Sequence, residues 1–380
     1  MSMRFVIDRN LLMKGIQEVM VAISSRAAIP ILTGIKIDVH QQGITLTGSD
    51  SDISIESFIP TEDDGTIYIE DIQEGSVVLQ ANYFPQIIRK LPEKIVEIEK
   101  DDQHKVTIRS GKAEFNLNGQ DADEYPQLPQ VQADESFQIP TDLLKGLIKQ
   151  TVFAISTMET RPILTGVNVK LENSTLTFTA TDSHRLASRH VSLPNINVDI
   201  PSIVVPGKSL DELYKILDDT EEHVEISLTN NLILFRTKNL YFLSRLLDGK
   251  YPETSRLIPE DSKTVLHINT RELIQTIDRA SLLAKAELNN VVKLTTKEGN
   301  VIEITSNSPE IGEVAEDISI QSIEGEELKI SFSAKYMIDA LRAIESDEVT
   351  IAFTGAMRPF IIRPANGDQV LQLILPVRTY

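Results

Sequence analysis

The chain has 380 residues, no cysteine, no tryptophan and a formal net charge of −19. Absence of cysteine excludes disulfides, thiolate metal sites and a cysteine nucleophile, and it fits a reducing compartment. No apolar run approaches the roughly 18 residues of a membrane span, and an acidic surface argues against phosphate binding unless something other than attraction holds the chain on nucleic acid.

A strand is predicted over residues 4–7. An amphipathic helix follows, in which Leu11, Leu12, Ile16, Val19 and Met20 recur at helical spacing and Asp8 or Asn10 caps the start. Residues 35–39 and 44–47 alternate apolar and polar with period two, and Gly43 marks the turn between them. A second helix is expected over 82–91. Strands over 97–99, 105–109 and 112–117 come next, and Tyr125-Pro126 closes the segment. Further along, helices are expected over 141–155 and 207–217, with Tyr251-Pro252 closing that stretch, and then over 270–283 and 333–344. The plan is α+β, with helix and sheet segregated and the strands mostly antiparallel. The first eight residues do not read as a signal peptide, because Arg4 and Asp8 bracket a very short apolar stretch. A cytoplasmic protein is expected.

The recurrence is in the letters as well as in the pattern. Residues 11–54 align without a gap on 143–186, and about a third of the positions from Ile23 to Ser54 are identical. Pro30-Ile31-Leu32-Thr33-Gly34 meets Pro162-Ile163-Leu164-Thr165-Gly166, and Gly48-Ser49-Asp50-Ser51 meets Ala180-Thr181-Asp182-Ser183. A fainter third copy begins at Thr270, which reads like Thr141. Copies of this length are domain-sized, so the pattern is a triplication and not a solenoid. The expected domains are 1–128, 129–254 and 255–380.

All six expected helices carry Lys or Arg, while much of the acid falls in loops such as Glu62-Asp63-Asp64 and Asp121-Ala122-Asp123-Glu124. Ordinary solvated helix faces explain this equally well. Thr181-Asp182-Ser183-His184-Arg185 has catalytic residue types, but neighbours in sequence are poorly placed to converge as a triad. Asp50 and Asp182 read instead as turn residues that bond their own backbone. The histidines are scattered, no carboxylate run has a calcium-loop pattern, and no glycine-rich phosphate loop is present. No catalytic residue, metal site or cofactor is expected, and a scaffold reading outweighs an enzyme. Two other readings stay open on the residues alone: a hydrolase using His184, and an acidic interaction scaffold that never meets DNA.

The repeated Pro-Ile-Leu-Thr-Gly, residues 180–187, Tyr251-Pro252 and the terminal Leu375-Pro376-Val377-Arg378 together resemble the bacterial DNA polymerase III beta subunits, the sliding clamps. The resemblance covers the whole chain in order. It implies three clamp domains per chain and a head-to-tail homodimer forming a six-domain ring, helices lining the hole and antiparallel sheets outside. Twelve helices side by side at roughly 10 Å give a circumference on the order of 120 Å, enough for a hydrated duplex. Such a ring is a processivity factor, held on DNA by closure, with basic residues facing in and acidic loops facing out.

The resemblance further implies that Arg26 and Arg161, which match each other's place just before the repeated Pro, face the DNA, with Lys14, Lys145 and Lys149 beside them. It sets Phe115 and Leu117 against Leu282 and Leu283 of the partner chain. It implies a peptide pocket with a floor of Leu164, Leu186, Leu257, Leu373 and Leu375. Pro252, Pro376 and Val377 form its walls. Thr181, His184, Arg185, Arg256 and Arg378 supply polar edges, with Met357 and Pro359 at its mouth. The implied partners are double-stranded DNA, a second copy, the replicative polymerase catalytic subunit, the clamp loader, and repair and ligation proteins, in the nucleoid region of the cytoplasm. Ser183 stands where many relatives have Gly, Met357-Arg358-Pro359 is this sequence's own variant, and Thr379-Tyr380 extends beyond Arg378. These departures bear on peptide preference.

Overall fold

The computed structural model describes residues 2–129, 131, 136–284 and 290–378; the terminal Thr379 and Tyr380 lie outside them. Six α-helices are found among the described residues: α1 (Arg9–Met20), α2 (Phe84–Lys90), α3 (Thr141–Lys149), α4 (Gly207–Ile216), α5 (Thr270–Ala284) and α6 (Ala334–Ile344). Each copy is laid out in one order: a strand, a helix, a run of antiparallel strands, a second helix, then three closing strands. The triplication is therefore three-dimensional as well as textual.

Local chemistry sets the helix ends. Asp8 caps α1, its carboxylate accepting from the backbone N–H groups of Asn10 and Leu11. α2 begins at Phe84 and not at 82, with Pro85 in its first turn, and stops at Lys90, because Leu91 precedes Pro92 and is extended. α3 is shorter than the expected 141–155. Thr151 leaves the helical region (φ −129°), donates its hydroxyl to the Leu147 carbonyl at 2.7 Å, and a short 3-10 turn over Val152–Ala154 follows. α6 is capped by Ser333, whose side chain accepts from the Tyr336 N–H, and ends on Glu345 in the left-handed region (φ 55°).

α1 buries Leu12, Ile16 and Val19 against the sheet. A Cβ at Gly15 would stand 2.9 Å from the Leu46 side chain, so glycine lets the helix lie that close. In the last copy Leu273 and Ile277 of α5, Met337 and Leu341 of α6 and the strand residues Phe332, Phe353 and Phe360 share one core. Phe360 lies 5.6 Å from Phe332 and 4.9 Å from Phe353, centroid to centroid. Burying each of these large side chains contributes about 1.5–3 kcal/mol.

Sheets run through the boundaries between copies. The third strand after the first helix of the first copy, Ile53–Pro60, pairs with the last strand of the second, Leu240–Arg245. Its counterpart in the second copy, Arg185–Ser192, pairs with the last strand of the third, Val370–Ile374. The registers are equivalent: Ser54 faces Leu243 at the first junction, and Leu186, its counterpart in the repeat, faces Leu373 at the second. Consequently the chain forms two compact units, Met1–Asp142 with Lys215–Leu246, and Leu143–Tyr214 with Leu247–Tyr380, which divide the middle copy between them. Among the edge strands of these sheets are Ala113–Asn118, the last strand of the first copy, and Gly312–Ser319, the third strand after the first helix of the last copy.

Candidate functional site

The site is built around the turn that joins two strands of the middle copy, Thr175–Thr181 and Arg185–Ser192. Asp182 organises it, one carboxylate oxygen accepting from the N–H groups of His184 (2.9 Å) and Arg185 (3.0 Å). Asp50 does the same in the first copy toward Asp52 and Ile53, as the sequence pattern indicates. Ser183 and Ser51 occupy the left-handed region at φ 79° and 82°, a conformation that suits glycine.

Arg185 departs from the expected polar edge. Its side chain is only 9% exposed and is committed inward. Nε binds Asp182 at 3.1 Å, one terminal nitrogen binds Asp339 of α6 at 2.8 Å, and the other donates to the Phe153 carbonyl at 2.8 Å. The guanidinium also lies over the rings of Tyr336 (4.5 Å) and Phe153 (5.3 Å). It ties the turn to α6 and orients what stands beside it: His184 stacks on Tyr336 at 6.5 Å. Sequence reasoning missed Tyr336, Asp339 and Phe153, because nothing local links them to Arg185.

The expected floor separates into a buried base and an exposed rim. Leu186 and Leu373 pack with Ile361 and Leu371, partly covered by Ile258, and Leu164 packs with Val204 and Tyr251. All three leucines are at most 2% exposed, whereas Leu257 (49%), Leu375 (37%) and Met357 (55%) stand open. The N–H of Leu375 donates to the His184 carbonyl at 3.0 Å, and that of Val377, just past Pro376, to the Ser331 carbonyl at 2.8 Å; Pro376 and Val377 are half-buried. Thr181 is buried; its N–H donates to the Tyr251 hydroxyl at 3.0 Å and its own hydroxyl to the Arg185 carbonyl at 2.6 Å. Burial pushes the Tyr251 phenol up to about 12, so it stays protonated. Pro252, Arg256 and Arg378 are exposed. Two clefts, each of about 610 Å³, open here: one bordered by Arg256, Leu257, Arg358 and Pro359, the other by Tyr251 and Pro252 over the sheet. An apolar rim with a few fixed polar groups suits the anchor side chains of a peptide.

The first junction repeats the plan with different chemistry. Ser54 stands where the second junction has Leu186, and its hydroxyl lies 2.7 Å from that of Ser49, the counterpart of Thr181.

The expected DNA-facing cations are not alike. Lys14 binds Asp218 and Lys149 binds Glu345, each pair holding its lysine charged, and Lys145 lies over the Tyr214 ring at 5.2 Å. Arg26 is exposed, and Arg161, also exposed, donates to the Ser183 hydroxyl at 3.2 Å. These two arginines share a loop but not a position. On the 132-residue offset that carries Pro30 onto Pro162, Arg26 falls on Met158 and Arg161 on Ile29. Phe115 (39%) and Leu282 (65%) are exposed, with Leu117 and Leu283 half-buried. Among the described residues no His, Asp and Glu cluster could hold a metal, and no helix is long and apolar enough to cross a membrane.

Three family models match in succession: the N-terminal, central and C-terminal domains of the DNA polymerase III beta subunit, over residues 3–129, 138–253 and 255–378. The chain belongs to the beta sliding clamp family. It is 59% identical to the beta sliding clamp of Bacillus subtilis and 52% to that of Halalkalibacterium halodurans, each over the full length of both chains. The crystal structure of the B. subtilis clamp superposes with a TM-score of 0.95, covering both chains completely. A beta chain from Streptococcus pneumoniae, 42% identical, gives 0.94 over 99% of this chain and 100% of its own. As a beta sliding clamp, the chain is a processivity factor of DNA polymerase III and a polymerase subunit without catalysis of its own.

Proposed function

We propose that two copies of this chain join head to tail into a closed ring around duplex DNA, with clamp domains at 1–128, 129–254 and 255–380. The observation that carries this reading is the strand pairing between copies. Twice, the third strand after the first helix of one copy takes the last strand of the next. The same step applied once more brings Gly312–Ser319 of one chain to Ala113–Asn118 of another, and both are sheet edges. Pairing two such edges adds a ladder of backbone hydrogen bonds. Phe115 and Leu117 then meet the region of α5 that carries Leu282 and Leu283, since α5 packs on Gly312–Ser319. A contact of this kind joins unlike surfaces and closes only at a suitable rotation, which the internal repeats supply.

In this reading Arg26 and Arg161 face the DNA with Lys14, Lys145 and Lys149 behind them. Peptides from the polymerase, the clamp loader and repair and ligation proteins lodge on the rim formed by Leu257, Met357 and Leu375. The protein works in the cytoplasm, on the nucleoid. The test is retention on DNA. Chains loaded on a nicked circle should elute with it and fall off when the circle is cut once; equal retention on both forms would remove topology from the function.

A further inference from the structure

With no cysteine in the chain, its sulfur chemistry rests with seven methionines. No thiolate competes for an oxidant, so exposure decides which thioether reacts. Met3 and Met337 are fully buried, in the cores of the first and last copies, and Met13 and Met20 are half-buried on α1. Met1 lies outside the described residues. Among the described residues only Met158 (63%) and Met357 (55%) stand open to solvent.

The two differ in their surroundings. Met158 belongs to the loop that carries Arg161, its N–H donating to the Ser156 hydroxyl at 3.1 Å. Met357 belongs to the turn between the strands Glu348–Phe353 and Phe360–Pro364. In that turn the Arg358 N–H donates to the Gly355 carbonyl at 3.3 Å, and the Thr354 hydroxyl to the Pro359 carbonyl at 3.4 Å. The turn borders the cleft beside Leu257, which Thr354, Arg358 and Pro359 line together with Leu257 and Ile258. Met357 is thus an exposed thioether on an apolar rim whose other members, Leu257 and Leu375, are hydrocarbon and inert to peroxide. Leu164, Leu186 and Leu373 at the base are inert for the same reason. Of these apolar side chains, the one at the mouth alone can change its polarity.

We propose that the Met357 thioether is a modification site, at which oxygen transfer from a peroxide weakens the binding of a client peptide and reduction restores it. The peroxide O–O bond breaks and an S–O bond forms; sulfur gives up two electrons, and what remains of hydrogen peroxide leaves as water. A polar, chiral sulfoxide replaces a flexible apolar thioether. An apolar anchor that settles on it strips water from the sulfoxide oxygen without supplying a donor, so a favourable contact becomes a costly one. The fold does not depend on this exposed side chain, and Met337, which packs in the core of the last copy, is shielded from the same chemistry. A methionine sulfoxide reductase with a dithiol returns the thioether, the oxygen leaving as water and the dithiol closing to a disulfide.

The inference rests on the peptide-pocket reading, and calorimetric titration separates the two. The probe is a synthetic peptide with Leu and Phe anchors and no methionine, added to the full-length protein after hydrogen peroxide treatment and removal of the oxidant. A parent protein that fails to bind this peptide before treatment would overturn both. With a binding parent, mass spectrometry should find sulfoxide at Met357 and Met158 well before Met3 or Met337. The affinity should fall by about tenfold as Met357 converts, and the reductase should restore it. Met158→Leu should lose affinity on treatment as the parent does. Met357→Leu, compared only with itself, should bind equally before and after. An affinity that holds while Met357 is oxidised, a Met357 that stays reduced while Met158 converts, or a loss that persists in Met357→Leu would sink the modification site and leave the pocket standing.

Discussion

Glu18 shows how one buried group couples the fold to pH. Its carboxylate accepts from the Ser57 hydroxyl at 2.6 Å, and burial is the largest influence on it, holding its pKa above the ordinary carboxylate value; Lys14 opposes this and Asp218 and Glu221 add to it. A folded-state value above the unfolded one means that its contribution is complete in acid and is lost as pH rises through the raised value. Glu18→Gln keeps a partner for Ser57 and removes that slope. The variant should be more stable than the parent at pH 8 by denaturant unfolding, with the gap narrowing toward pH 5; a gap that widens in acid would contradict the assignment. Asp218 has the opposite sign: hydrogen bonding to Lys14 depresses its pKa, so its contribution is present at neutral pH and lost on acidification. At the pocket, Met357 is exposed, so Met357→Ala should leave the fold intact while costing about tenfold in affinity for a clamp-binding peptide by calorimetry. At this scale the sequence was readable where the chemistry is local. Asp50 and Asp182 act within three residues. Arg185 was misread as an edge group because Asp339 and Tyr336, which hold it, arrive from α6.

Among elements, helical periodicity located all six helices, and errors fell at their ends. The overlong reading of α3 came from apolar residues that continue past Lys149 into a 3-10 turn, where Thr151 satisfies a helical carbonyl with its own side chain. Periodicity reports which face is buried and says little about where hydrogen bonding stops. Which strand meets which was not readable at all, since antiparallel strands carry no address in their alternation. The address lies in the pairing of Ile53–Pro60 with Leu240–Arg245 and its repetition one copy later. Leu282 bears on the same question. In the proposed dimer Leu282, exposed on α5 beside a sheet edge, faces the partner chain. Leu282→Asp with Leu283→Asp should give folded monomers, seen as a halved mass in sedimentation with an unchanged circular dichroism spectrum. A dimer that survives would place the interface elsewhere.

For the whole molecule, a net charge of −19 disfavours attachment to DNA by attraction alone, which the proposed closed ring does not need. Salt tests this. Binding through phosphate contacts loses about 10³–10⁵ in affinity between 50 and 200 mM salt when six to ten contacts are involved. A closed ring on a closed circle should lose almost nothing over that range and should leave only when either circle or ring is opened. Triplication was legible because the first two copies still share whole words such as Pro-Ile-Leu-Thr-Gly, while the third shows only in fainter matches, its first helix from Thr270 and the strands over residues 291–307. The serine pair at the first junction has a consequence for traffic. Ser49 and Ser54 satisfy each other where the second junction offers grease, so duplication multiplied the seams of the chain without multiplying its berths. In the proposed two-chain ring that leaves two moorings, and on that reading clients beyond two take turns, in an order set by who lets go first.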